Sequence, residues 1–224
     1  MSRVSLVATF LIALTLALLP AAPLTAQTHH DTQHHSFQGA DQWAKEFDDP
    51  TRDEWQKPHE VIQALALKPE DVIADIGSGT GYFAVRFAHM VPKGRVYGVD
   101  TEPDMVKYLT ERAKSMGLTN VTAVQAAADD PRLPEKVDLI IIVDTFHHIE
   151  NRARYLRRLH DLLKPDGRIA IIDFRMDSPD GPPKSARSTP DQIKAELNGA
   201  GYAFMQEHNF LPKQYFLVFE QAKK

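Results

Sequence analysis

Asp75-Ile76-Gly77-Ser78-Gly79-Thr80-Gly81-Tyr82 follows the apolar run Val72-Ile73-Ala74 and precedes a segment with Phe83 and Phe87 four residues apart. A short strand therefore enters a glycine loop and leaves it as a helix. Glycines permit the tight turn and let a ligand approach bare backbone. The spacing departs from the dinucleotide pattern G-x-G-x-x-G, because the third glycine arrives one residue early and Tyr82 takes its place. Asp75, at the strand end, carries a carboxylate that repels a pyrophosphate and favours a cationic amino-acid head. The stretch thus argues against NAD, and it lacks the Gly-Lys-Ser/Thr of a nucleotide P-loop.

Outward from this loop, strands and helices alternate. Residues 95–100 read as a second strand ending in Asp100, about 20 residues past the loop, where a ribose-binding carboxylate belongs in such folds. Residues 103–116 form a helix, with Asp104 in its first turn to complement the dipole, and 121–124 a third strand. Val137-Asp138-Leu139-Ile140-Ile141-Ile142-Val143 is apolar at nearly every position, as a strand buried on both faces must be. A helix over 152–163 follows, its Arg154, Arg157 and Arg158 on a solvated face. Pro165-Asp166-Gly167 turns into a fifth strand over 168–174. Upstream, 40–47 and 55–67 read as amphipathic helices, the second tolerating Pro58 only in a first turn. The alternation predicts a parallel sheet with helices on both faces. The last elements differ: a helix over 190–197, then strands over 202–208 and 214–220. Their connection is too short for a parallel crossover, so they form an antiparallel hairpin.

These segments resemble, in order, the motifs of class I S-adenosylmethionine-dependent methyltransferases. Asp75 to Gly81 resembles the first motif and Val99-Asp100 the second. Val137-Asp138-Leu139-Ile140 through His147-His148 resembles the strand-four motif, and Leu162-Leu163-Lys164-Pro165-Asp166-Gly167-Arg168 the strand-five motif. The resemblance spans about residues 55–220 and implies an α/β, Rossmann-like, doubly wound seven-stranded sheet, mostly parallel with a C-terminal antiparallel hairpin. It implies S-adenosyl-L-methionine as cofactor. Asp75, Gly77, Ser78, Gly79, Thr80, Gly81 and Tyr82 would hold the methionine portion, and Asp100 the ribose. The family often places an acid soon after strand three against the adenine. Here Gln125-Ala126-Ala127-Ala128 precedes Asp129 and Asp130; Asp129 is read as the adenine contact, the alternative being a solvated turn before Pro131.

Methyl transfer from a sulfonium is an in-line displacement, and a base is needed only where the acceptor must lose a proton. Asp144, His147 and His148 follow strand four at the rim of the expected site. Asp144 would orient the donor amine or the acceptor. His147 would be the base, since imidazole is the side chain suited to proton transfer at physiological pH; the alternative is that one histidine packs or caps while the other is solvated. Asp173 and Arg175 would line the acceptor pocket, and Trp55, Gln56 and His59 an N-terminal lid.

The chain has 224 residues, 26 Lys plus Arg against 30 Asp plus Glu, and no Cys. Lack of cysteine excludes disulfides, thiolate metal sites and a thiol nucleophile. The mildly acidic balance disfavours nucleic acid, which wants a basic footprint; a small-molecule substrate is expected, with a lipid-like quinol or a protein side chain left open. Arg3, an uncharged apolar run broken by Pro20, and Leu24-Thr25-Ala26 are the parts of a secretory signal peptide over 1–26. The alternative is a retained membrane anchor, since residues 4–28 are uncharged and long enough to span a bilayer. Cleavage would leave a periplasmic or secreted protein with no membrane partner. Residues 27–39 are a polar lead-in in which His29, His30, His34 and His35 either bind metal or form a solvated tail that meets adventitious metal at most. The methyltransferase domain is expected over 40–224. The second functional reading is a non-catalytic exported binding protein on the same fold, metal-associated through these histidines.

Overall fold

The strand-helix alternation builds one seven-stranded sheet in the computed structural model, which describes residues 39–223. The expected signal peptide and the four histidines of the lead-in lie outside the described residues. Among those described, no helix is long and apolar enough to cross a membrane.

The strands are β1 (Val72–Ile76), β2 (Arg95–Asp100), β3 (Val121–Gln125), β4 (Val137–Val143), β5 (Leu163–Phe174), β6 (Tyr202–His208) and β7 (Gln214–Gln221), in the order β3-β2-β1-β4-β5-β7-β6. All neighbours pair in parallel except β7, which runs antiparallel to both β5 and β6. The sheet is therefore the mostly parallel one expected, with its C-terminal hairpin. The helices are α1 (Ala40–Phe47), α2 (Arg52–Gln56), α3 (Pro58–Leu65), α4 (Ala84–Met90), α5 (Pro103–Ser115), α6 (Arg152–Leu162) and α7 (Pro190–Gly199).

β4 shows why the apolar run sits at the centre. It pairs with β1 on one side and β5 on the other, and Leu139 to Ile142 are inaccessible to solvent. Each such side chain contributes about 1.5–3 kcal/mol by burial. Ile140 and Ile142 face one apolar cluster and Leu139 and Ile141 the other, so the sheet has a core on each face. The order of strands reverses between β1 and β4. Ligands of open parallel sheets bind at such a reversal, outside the carboxyl ends of the strands.

Three local readings are corrected. The helix expected over 55–67 is two helices, because Pro58 opens α3 at its first position and Lys57 before it takes a left-handed φ of 45°. The helix after the glycine loop, expected from Tyr82 to Met90, starts at Ala84, since Gly81 at φ 89° still belongs to the turn. Strand five starts five residues early. The Pro165-Asp166-Gly167 turn is kept as a bulge inside it, with Val137 opposite Leu163 and Leu139 already opposite Arg168. Lys164 Nζ, 2.6 Å from Asp138, pins that bulge.

α3 ends on Ala66 at φ 46°, an exposed residue in the conformation that suits glycine. Ala66→Gly should raise stability by about 0.5 kcal/mol, the relief of left-handed strain exceeding the entropy added to the unfolded chain. A melting temperature at or below the parent's would contradict this.

Candidate active site

The glycine loop is shaped by what each residue lacks. Ile76 ends β1, and Gly77 turns the chain at φ 71°. A Cβ there would lie 2.2 Å from Thr145 Oγ1. The Gly77 and Ser78 amides both donate to Val99 O, at 2.8 and 3.0 Å, which folds the loop back over β2. The Gly79 amide donates to Asp100 Oδ2 at 2.8 Å, and the Glu102 amide to Asp100 Oδ1 at 3.0 Å. The loop closes with Gly81 N–H on Ser78 O at 2.8 Å. Ser78 Oγ and Thr80 Oγ1 are buried without a hydrogen-bond partner. Two orphaned hydroxyls in one loop are costly unless a ligand or water meets them.

Acidic side chains gather round this loop at the carboxyl ends of the strands. Asp75 is 3% exposed. Burial pushes its carboxyl up to about 7; Arg52 pulls it down, Asp100 pushes it further up, and a hydrogen bond from the Ala84 amide lowers it. Burial also raises Asp100. Asp144, just past β4 at φ 53°, is pushed up to about 7, again by burial first, with Arg52 opposing and Asp173 adding. Gln214 Nε2 donates to Asp144 Oδ1. His147 and Asp173 are both buried, and His147 Nδ1 lies 3.0 and 3.1 Å from the two Asp173 oxygens. The His148 ring lies 4.1 Å from that of His147.

The segment before the sheet covers the loop. Phe47 of α1 sits 3.3 Å from where a Gly79 Cβ would be. Arg112 fastens this segment, reaching Asp48 at 2.7 Å and Thr80 O at 3.0 Å. The Tyr82 ring lies between the Arg52 and Arg86 guanidiniums, 4.0 and 3.9 Å from its centroid, and its hydroxyl donates to Asp53. Gln56, fully buried, donates to Gln214 Oε1 at 2.7 Å. Trp55 packs on Phe174 at 5.8 Å, while His59 is exposed.

The fold thus brings together Asp75, the Gly77 to Gly81 loop, Tyr82, Asp100, Asp144 and His147. Asp129, read as the adenine contact, is paired with another side chain. Asp129 lies in an exposed turn with its carboxylate 3.2 Å from Arg154. Arg154, read as part of a solvated face, supplies the counter-charge that a carboxylate in that turn attracts. Arg175 spends its guanidinium on the carbonyls of Pro212 and Gln214. Arg52 and Gln214 escaped the sequence reading altogether. Arg52 sits among Asp53 and Glu54 in a charged segment with no motif, and Gln214 merely opens a strand.

A family model described as a methyltransferase domain matches residues 67–217, which hold the glycine loop, Asp100, Asp144 and the His147–Asp173 pair. The chain belongs to this methyltransferase family. Membership implies S-adenosylmethionine as the cofactor. The chain is 33% identical over 117 residues to the ubiquinone/menaquinone biosynthesis C-methyltransferase UbiE of Edwardsiella ictaluri, covering 51% of this chain and 47% of that protein. To UbiE of Pasteurella multocida it is 30% identical over 117 residues, covering 51% and 44%. The chain spans about half the length of the curated relatives it matches. Among solved structures, an S-adenosylmethionine-dependent methyltransferase from Aquifex aeolicus is 27% identical and superposes with a TM-score of 0.75, over 81% of this chain and 98% of that one. The [4+2]-cyclase SpnF is similar in fold alone, at 14% identity and a TM-score of 0.65 over 75% of this chain and 81% of that one.

The residues present fit the donor. Its amino-acid head and sulfonium are cationic, and Asp75, buried, and Asp144, partly buried, present carboxylates that Arg52 offsets in part. Its polar groups can meet the orphaned Ser78 and Thr80 hydroxyls. Asp100 is already oriented by two amides and presents a carboxylate to a pair of vicinal hydroxyls.

Proposed function

We propose that this chain transfers a methyl group from S-adenosylmethionine to a small-molecule acceptor that gives up a proton, and that residues 1–26 export it from the cytoplasm. The observation that carries the chemistry is the buried His147–Asp173 pair beside Asp144, on the rim of the donor loop. The bound donor supplies an activated methyl on a sulfonium. Asp75 holds the donor's ammonium and Asp100 its ribose. Asp173 accepts from His147 Nδ1–H, which fixes the tautomer and leaves Nε2 bare to take a proton from the acceptor. A base is of use to a carbon or hydroxyl acceptor, and the C-methyltransferase relatives make a quinone-type ring the first compound class to try. The export reading rests on the charge and apolar pattern of the first 26 residues.

Calorimetry with S-adenosylmethionine and with its demethylated product, followed by labelled-methyl transfer to reduced quinones and phenols, tests this reading. Lack of binding to either nucleoside would refute it. His147→Gln should lower kcat by about 10²–10⁴-fold while leaving the donor Kd unchanged; an unaltered rate removes His147 as the base. Cell fractionation that recovers the unprocessed chain in the cytoplasm would refute export.

A further inference from the structure

Donor recognition demands more than carboxylates. The amino-acid head of S-adenosylmethionine carries an ammonium, a sulfonium and its own carboxylate. Asp75 and Asp144 suit the two positive groups and repel the third. A cation facing both acids would offset that repulsion and seat the head.

Arg52 is placed to be that cation. It belongs to α2, outside every motif of the sequence, and its side chain is 14% exposed. Groups within its own segment fix it without a ligand: Phe47 O at 3.0 Å from Nη1, and Gln56 Oε1 at 3.3 Å from Nε and 3.1 Å from Nη2. The guanidinium lies on the Tyr82 ring at the mouth of the glycine loop. Its contact with Asp144 is 3.4 Å, long for a charge-assisted bond of about 2.7–2.9 Å. It therefore remains available to a second carboxylate. The neighbouring cations are spent. Arg86 holds Asp53 at 3.0 Å and Tyr82 O at 2.7 Å, and Arg112 holds Asp48 and Thr80 O.

We propose that Arg52 recognises the carboxylate of the donor's amino-acid head, so that residues 47–56 form one wall of the donor site. This rests on the reading of S-adenosylmethionine as the donor. Gln56 and Gln214 complete the wall: Gln56 binds Arg52 on one side and Gln214 on the other, and Gln214 reaches Asp144. The cation and the acid are thereby held at a fixed separation by neutral groups.

The test is calorimetry on the full chain with two ligands, S-adenosylmethionine and its decarboxylated form, which keeps the sulfonium and the ammonium. Arg52→Gln should raise the Kd for S-adenosylmethionine about tenfold or more and leave that for the decarboxylated ligand within about twofold. Arg52→Lys, which keeps the charge and loses the fork, should fall between. Equal weakening of both ligands would overturn the proposal, because Arg52 would then only hold the wall in place. Tighter binding of both would also overturn it, since Arg52 would be occupying the donor's position. A parent chain that binds neither ligand refutes the donor reading itself, and the proposal with it.

Discussion

Gly77→Ala should abolish donor binding and cost the fold about 3 kcal/mol. Two penalties add. The residue sits at φ 71°, where any L side chain is strained by about 1–2 kcal/mol. The new methyl would also lie 2.2 Å from Thr145 Oγ1 and 2.7 Å from Thr145 Cβ. Thr145 cannot yield easily, because its hydroxyl donates to Val143 O at 2.9 Å and its Cβ is fixed to the backbone after β4. Relief must come from the loop, which would shift the two amides that bind Val99 O and, through Gly79, the orientation of Asp100. Thermal unfolding and calorimetry of the variant check both parts. The double variant Gly77→Ala with Thr145→Gly separates them, since it opens the space and leaves the φ strain. Stability recovered by about half, with donor affinity partly restored, is the expected result. An alanine variant as stable as the parent would show that the loop is not held as described.

Asp75→Asn should exchange binding for stability, in a pH-dependent way. The folded protein holds the Asp75 proton up to about pH 7, whereas in the unfolded chain the group ionises near its ordinary 3.8. Between those values the folded state binds more protons, so stability falls as pH rises. The cause is the desolvation of a charge, which asparagine does not carry. Without donor, the variant should therefore melt above the parent at pH 8, by on the order of 1 kcal/mol or more in stability, and not at pH 4. With saturating donor the variant's advantage should shrink by about 1.4–2.7 kcal/mol. Loss of a charge-assisted bond weakens binding by about tenfold to a hundredfold, and the parent alone gains the full stabilisation from a saturating ligand. Asp144 is raised in the same way and adds its own slope, which the difference between parent and variant cancels. Melting curves at the two pH values, with and without donor, decide the matter. A variant less stable than the parent at pH 8 without donor would show that the Asp75 charge is compensated in the empty fold.

The same two residues show how far a sequence can be read. Gly77 and Asp75 announce themselves because their roles are local: a turn after a strand needs glycine, and a carboxylate at a strand end faces whatever the turn holds. The hydrophobic alternation and the short final connection likewise specified a parallel sheet ending in an antiparallel hairpin. Period, length and turn chemistry act within a few residues, so they survive without knowledge of the partners. The break at Lys57 and the bulge at Pro165 were signalled by their prolines and still misplaced, since their positions depend on what packs across them. Arg52, Gln56, Gln214 and the His147–Asp173 pairing were decided by the tertiary structure. Arg52 and Asp144 are 92 residues apart, and Gln56 and Gln214 are 158 apart. In the sequence each is a polar residue of the kind that usually faces water. Only the pairing of β7 beside β5, which sets Gln214 opposite Phe174, and the folding of α2 over the loop enclose them. Once enclosed, each must find a partner, because a buried polar group without one costs more than the bond is worth in water.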